Sequence, residues 1–448
     1  MFQIVWFEMN VFKTFNLSRL SNLKALRIID VGSNNFTSLP LAMTTYHELR
    51  ELGVRDNSNL QSLDPRLLLL PLLDKVDCTD CTSLISPPYE ISKQGLQAIR
   101  KYFTDLEQSG RKKLPIVSAA VIGHRMAGKT SLINSLKSRE RLFTHRNKEG
   151  IDDYTTEVFK IDDITVGESQ LKVFDYGGDR VYHTAYHMTI RSKSIPIIVV
   201  NMKGYAELST TDGFKEAARI LVMDYMSHLY ISCPNLGPPL LVLTHRDKFS
   251  DDDTFNACKT DLLTALLSLI SDMRRGASKL TKITLFSEPN AEIFPACDIF
   301  VTGETAESFK FIFQLLSRLQ IRAEPFFAVI PKFWENLLIF FDQKTDVPNI
   351  LLSEILKKFP SDVNLTTLCY MHGIGRILWF EHESTLRDFV FHRLTILTDA
   401  VSLLFHHGSE DKWKSHVESQ PNLISAGDET ISKLKYAKLV SSFLRSCV

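Results

Sequence analysis

The chain has 448 residues, 44% of them apolar and 23% charged, with a formal net charge of zero. That is the make-up of a globular protein of two or three domains, and it excludes a strongly basic chain built for nucleic acid or an anionic membrane surface. No stretch approaches a membrane span, Met1 to Glu8 lacks the basic opening of a signal peptide, and seven scattered cysteines form no disulfide framework, so a cytoplasmic protein is expected.

Four N-terminal segments share one pattern: apolar, two spacers, apolar, one spacer, apolar, two spacers, then Asn or Cys. They start at Phe2, Leu26, Leu49 and Leu73, spaced by 24, 23 and 24 residues, as in leucine-rich repeats. The second is the clearest, with Leu26, Ile29, Val31, Asn34 and Phe36. Phe2 already holds an inward position, so the chain is expected to start part-way through an array. Cys78 and Cys81 could be read as a redox or zinc pair. Repeat register instead makes Cys78 an inward apolar residue and Cys81 the occupant of the Asn position, and no second Cys/His pair stands at zinc-ligand spacing.

Gly95 to Leu106 reads as an amphipathic helix, and the polar, basic Ser109 to Lys113 as a boundary. Ile116–Ile122 then reads as a buried strand, followed by Gly123-His-Arg-Met-Ala-Gly-Lys-Thr130 and a helix from Thr130 to Ser138. The eight residues fit the P-loop pattern. Glycines at both ends let the backbone curl so that successive N–H groups face phosphate oxygens. Gly123, Met126, Ala127, Gly128, Lys129 and the Thr130–Ser131 backbone would cradle the phosphates. Lys129 would reach the β- and γ-phosphates, and the Thr130 hydroxyl would ligate Mg²⁺.

Two later motifs narrow the base. Leu171 to Gly178 reads as a strand ending in Asp-x-x-Gly. Asp175 would hold Mg²⁺ through water, and the Gly178 N–H would sense the γ-phosphate. Ile195–Asn201 supplies another buried strand. Pro238 to Asp247 is an apolar strand ending in Thr244-His245-Arg246-Asp247. A carboxylate there can take two hydrogen bonds from guanine, and adenine offers no such donor pair. GTP and GDP with Mg²⁺ are therefore the expected ligands. His245 could stack on the base or simply face solvent. His245-Arg246-Asp247 also imitates a kinase triplet, but the required Asn five residues on is Asp252, so no protein kinase domain is expected.

Thr-His-x-Asp in place of Asn-Lys-x-Asp, after leucine-rich repeats, resembles the Roc GTPase domain of Roco proteins. Ile330 to Trp334 resembles the opening of the COR region that follows Roc. Tyr370 to Phe380 and Leu386 to Val390 resemble its central signature. Within the family the chain is most similar to the kinase-less, malignant-fibrous-histiocytoma-amplified-sequence-like group. The resemblance implies an α/β chain in three parts. A short leucine-rich-repeat solenoid (1–90) leads through a connecting helix and linker (91–113) to a Ras-like P-loop domain (114–322). A mostly helical, winged-helix-like and incomplete COR region follows (323–448). It also implies protein partners at the repeats and COR. The usual dimerising second half of COR is not recognisable, which puts a homodimer in doubt.

Three departures bear on activity. The residue after Gly178, often a water-orienting Gln, is Asp179, so hydrolysis at Gly178 and Asp179 is expected to be slow. Lys148 stands where the family has a switch threonine, leaving Thr155 or Thr156 as substitutes. The base-closing loop aligns best at Cys297-Asp298. Glu304 to Leu319 carries a packing face of Phe309, Ile312, Phe313, Leu316 and Leu319. The aromatics Phe326, Phe327, Phe333, Trp334, Phe340 and Phe341 fit a core, and Lys433 to Arg445 reads as a helix. The sequence thus suggests a slow GTP switch for signalling, with a non-catalytic scaffold as the alternative.

Overall fold

The computed structural model describes residues 4–6, 25–139, 159–178, 190, 194–276, 307–323, 327–359 and 365–394, apart from 168, 234, 235, 237, 238, 345, 346, 348, 383 and 385. Asp179, Lys148, Thr155, Thr156, Cys297, Asp298, Phe326 and the segment from Lys433 to Arg445 lie outside these residues. The fold divides into two compact units. One comprises Met1–Pro115 and Phe326–Arg393, and the other contains Ile116–Pro325.

The first unit opens on four short strands, β1 (Ile4–Trp6), β2 (Ile28–Asp30), β3 (Glu51–Gly53) and β4 (Lys75–Asp77). They pair in parallel in sequence order, one per repeat of the pattern. The apolar positions Leu26, Ile29, Val31, Leu49, Leu52, Val54, Leu73 and Val76 are buried between turns. Asparagine side chains satisfy the backbone there. Asn57 Nδ2 donates to the carbonyls of Val31 and Val54 at 3.0 and 2.7 Å, and its Oδ1 accepts from Phe36 N–H at 3.1 Å. Cys81 takes the same place one turn later, its thiol donating to the Val54 carbonyl at 3.0 Å. Burial pushes the Cys81 thiol up to about 12 and raises Cys78 as well. Both are buried and reduced, and the described residues hold no His/Cys/Asp/Glu cluster fit for a metal.

The stack is closed by the helix Leu96–Ser109, which buries Ile99, Tyr102, Phe103 and Leu106. The stretch that composition reads as a boundary is in fact a strand, β5 (Arg111–Leu114). Its basic residues are exposed while Leu114 is buried, the pattern of a one-sided edge strand. What converts it from linker to strand is a partner distant in sequence. β5 pairs antiparallel with β11 (Ala328–Pro331), Leu114 opposite Ala328. Tyr102 OH donates to the Val329 carbonyl at 2.6 Å, and the Lys112 ammonium meets Glu335 at 3.0 Å. Trp334 begins the helix Trp334–Gln343 and packs against Tyr102 and Tyr370 in tilted contacts, with ring centroids 6.4 and 5.1 Å away. Phe327, Phe340 and Phe341 are buried as well, and Phe333 partly so. The rest of this part is the helices Leu352–Lys358 and Leu365–Gly373 with a small antiparallel sheet. Its strands β12 (Asn349–Leu351), β13 (Leu378–Trp379) and β14 (Phe389–Phe391) lie in the order β12-β14-β13.

The second unit is a twisted sheet of β6 (Ile116–Ile122), β7 (Phe159–Val166), β8 (Ser169–Tyr176), β9 (Ile195–Asn201) and β10 (Leu240–Thr244), in the order β10-β9-β6-β8-β7. All neighbours are parallel except β7 with β8. β6 is central, and the strand order reverses on either side of it, so the chain leaving β6 enters the crevice where such sheets bind ligands. β9 and β10 are buried almost throughout, as strands covered on both faces must be. The helix Glu307–Ala323 packs on Leu315, Leu316 and Leu319. Phe313, expected on that face, is 53% exposed instead. The stripe has turned toward Leu315. Phe309 and Ile312 carry no described side chains.

Gly123 follows β6 at φ +146°, where a Cβ would lie 2.2 Å from the Val199 carbonyl oxygen of β9. No rotamer change can relieve a clash with backbone. Gly110 also has a positive φ, +82°, but a Cβ there meets nothing within 4 Å. Gly123→Ala should therefore lower the thermal midpoint far more than Gly110→Ala, whose cost is backbone strain of about 1 kcal/mol. Equal melting curves would show that the β6–β9 approach is slack. For the cysteines, iodoacetamide at pH 8 should leave Cys78 and Cys81 unmodified in the native protein and label both after unfolding in denaturant, as read by mass spectrometry.

Candidate functional site

The P-loop residues form one curl at the end of β6. Met126 and Gly128 both have positive φ, +63° and +89°, and Gly128 caps the helix Lys129–Ser138. That helix starts with its N–H groups facing the loop, the arrangement that favours an anion. Lys129 is buried, and its ammonium donates to the carbonyls of Gly123 and His124 at 2.9 and 3.0 Å. The side chain thus lies back across the loop, with its charge at the centre of the curl. Ala127 is buried, whereas Met126 stands out with half of its surface exposed.

Thr130 is the first-turn hydroxyl of the same helix. Its Oγ1 donates to Asp175 Oδ2 at 2.6 Å. Asp175 sits near the end of β8, paired to Val121 of β6, and is buried. A hydroxyl and a carboxylate converging this closely are the hard oxygen donors that suit Mg²⁺. Gly178 lies two residues beyond β8. A Cβ on it would fall 2.3 Å from the Arg125 nitrogen, so Gly178 and the apex of the loop touch backbone to backbone. Its carbonyl accepts from the hydroxyl of Tyr225 at 2.7 Å.

The end of β10 is fastened to the loop. Thr244 Oγ1 lies 2.8 Å from the Ala127 carbonyl and 3.1 Å from that of Val200. The hydroxyl has one proton. Given to Ala127, it leaves the oxygen to accept from Nδ1 of His245, 2.9 Å away. His245 is half-buried in left-handed conformation, φ +63°, which His tolerates better than most residues. Burial holds its imidazole below the usual range, so it is neutral at pH 7. The turn at His245 starts the short helix Arg246–Lys248, which presents Asp247 at the surface, 3.2 Å from the Lys248 ammonium.

The structure thus brings Gly123, Met126, Ala127, Gly128, Lys129, Thr130, Ser131, Asp175, Gly178, Thr244, His245 and Asp247 to one edge of one sheet. Asp179 is outside the described residues. Two residues had no sequence signal. Asn201 caps the helix Met202–Asp212 through Gly204 N–H and reaches the Met126 carbonyl at 3.5 Å. Tyr225 lies 47 positions beyond Gly178. Both act on backbone groups that only the folded chain brings near.

Residues 119–222 match the Roc family, described as "Ras of Complex, Roc, domain of DAPkinase". The chain is 25% identical over 373 residues to the Malignant fibrous histiocytoma-amplified sequence 1 homolog of Xenopus tropicalis, covering 72% of this chain and 35% of that protein. The human Malignant fibrous histiocytoma-amplified sequence 1 is 22% identical over 432 residues, covering 81% of this chain and 40% of that protein. The chain therefore spans well under half the length of these curated relatives. Among solved structures it is similar to the RocCORdC part of Methanosarcina barkeri Roco2 bound to GDP, with TM-score 0.39, 17% identity, and coverage of 65% of this chain and 76% of that one. Residues 119–222 of the chain thus match Roc, and along most of its length the chain is similar to the Malignant fibrous histiocytoma-amplified sequence 1 proteins.

Proposed function

We propose that the chain is a guanine-nucleotide switch of Roco type, which binds GTP and GDP with Mg²⁺ and hydrolyses GTP slowly in intracellular signalling. The observation that carries this reading is the tie between Thr244 and the Ala127 carbonyl, 2.8 Å. It holds the strand end that would read the base at a fixed distance from the loop that would hold the phosphates. A ligand with a base at one end and phosphates at the other is what such a pair of fixed points fits.

In this reading the loop N–H groups and Lys129 bind the phosphates, and Asp247 accepts from guanine. Thr244 orients His245, whose neutral ring packs beside the base. Thr130 and Asp175 would hold Mg²⁺, which supplies charge neutralisation at the β- and γ-phosphates. Gly178 offers its N–H to the γ-phosphate. Water attacks the γ-phosphorus, the bond to the bridging oxygen breaks, and GDP and inorganic phosphate leave. Asp179 brings a negative charge where a water-orienting amide would help, which is why the turnover is slow. The parallel stack serves as a short leucine-rich-repeat platform, spanning 1–90. The sheet β12-β14-β13 with its helices is the winged-helix-like start of COR, after a Roc domain at 114–322. Both are surfaces for protein partners in the cytoplasm.

The base preference is tested by titrating fluorescent GDP and fluorescent ADP, in Mg²⁺, into wild type and Asp247→Ala. GDP should bind and ADP should not, and the substitution should abolish the difference. Failure of both to bind folded, nucleotide-free protein would leave a scaffold with a vestigial site. Single-turnover hydrolysis without a partner should be no faster than about 10⁻³ s⁻¹, the scale of an unassisted small GTPase. A rate tens of times higher would refute the role given to Asp179.

A further inference from the structure

Residues 214–232 form one helical run made of three pieces. Phe214–Ala218 is α-helical, Arg219–Met223 is a π-turn, and Asp224–Ser232 is α-helical again, with helical dihedrals across both joins. A π-turn holds one residue more than an α-turn. Every later side chain is therefore rotated by roughly 100° from where an unbroken α-helix would place it. The turn itself buries Leu221, Val222 and Met223 and packs against β9 and the helix Asp252–Gly276. Its hydrogen-bond geometry is inferior to that of an α-turn, so it persists where the rotation achieves something.

The first aromatic residue after the turn is Tyr225. Its ring is wholly buried and its hydroxyl donates to the Gly178 carbonyl at 2.7 Å. On its other side Gly178 abuts Arg125, where even a Cβ would come within 2.3 Å of the backbone nitrogen. Gly178 is thus gripped between the P-loop apex and a phenol. A glycine has the widest backbone freedom of any residue, and left alone it would sample many orientations of its peptide groups. A hydrogen bond to its carbonyl fixes one of them.

We propose that Tyr225 is a positioning residue, a latch that holds Gly178 docked on the P-loop in the arrangement that accepts a γ-phosphate. The proposal rests on the guanine-nucleotide reading above and adds the residue that sets its switch. The latch and the γ-phosphate favour the same placement of Gly178, so each strengthens the other by the same factor. GDP lacks that phosphate and is indifferent to the latch. The π-turn is then the joint through which the helical run 214–232 registers which nucleotide is bound.

The test uses the full chain with Tyr225→Phe, which keeps the buried ring and removes only the hydroxyl. Affinities are measured for fluorescent GDP and for a fluorescent, non-hydrolysable GTP analogue, both in Mg²⁺. The analogue should weaken by about three- to tenfold, the scale of one net hydrogen bond, while GDP affinity stays within twofold. Tyr205→Phe is the control. Tyr205 is equally buried, but its hydroxyl has no hydrogen-bond partner among the described residues, so neither affinity should move. If Tyr225→Phe changes both affinities alike, or changes neither, the latch is refuted and the guanine-nucleotide reading survives. If wild type binds neither nucleotide, the latch falls together with that reading.

Discussion

Everything at the candidate site depends on how closely β6 and β9 run together at Gly123. The chain leaves β6 against the Val199 carbonyl, with no room for a side-chain carbon. That contact fixes where the loop begins. The positive φ values of Met126 and Gly128 then fix how it curls, and Lys129 locks the curl by donating to two of its carbonyls. From there constraint spreads sideways along the sheet edge. β8 delivers Asp175 to Thr130, and β10 delivers Thr244 to Ala127. Each is a short bond between the segment that follows β6 and the end of another strand of the sheet. A parallel sheet makes this possible, because the C-terminal ends of its strands all open on the same crevice.

The unit that contains the repeats is held by a different device. An edge strand of basic residues finds its partner in β11, more than two hundred positions away in sequence. The pairing alone would be weak, since two isolated strands are marginal in water. It is secured by Tyr102, Trp334 and Tyr370, three large rings buried in a row, and by the bond from Tyr102 to the Val329 carbonyl. Burial of aromatic surface dominates here, and the exposed Lys112–Glu335 pair adds little beside it. As a consequence, the parallel stack, its capping helix and the segment around β11 to β14 share one compact body, and Ile116–Pro325 is an insertion in the sequence of that body.

The cysteines show how position outweighs chemistry. Cys78-x-x-Cys81 invites a redox or zinc interpretation. In the fold Cys81 does what Asn57 does one turn earlier, donating to the carbonyl of the preceding turn. Burial raises both thiols, which makes them poor nucleophiles in the folded chain.

The local elements were legible in the sequence. β6, β9 and the repeat register follow from apolar runs and period alone, because burial on both faces or inward placement at every turn leaves a direct pattern in the residues. The P-loop was legible for a similar reason, since a backbone that must curl and approach a neighbour at Gly123 and Gly128 restricts which residues can stand there. Tertiary structure decided what depends on a distant partner. Arg111–Leu114 looks like a linker until β11 pairs with it, and Phe313 looks buried until the rotation of its helix turns Leu315 inward instead. Asn201 and Tyr225 act on carbonyls far away in sequence, and a carbonyl carries no residue identity that a motif could record. The sequence determined which candidate groups stand in the P-loop, Asp-x-x-Gly and Thr-His-x-Asp motifs. The fold alone determined which backbone atoms hold those groups in place.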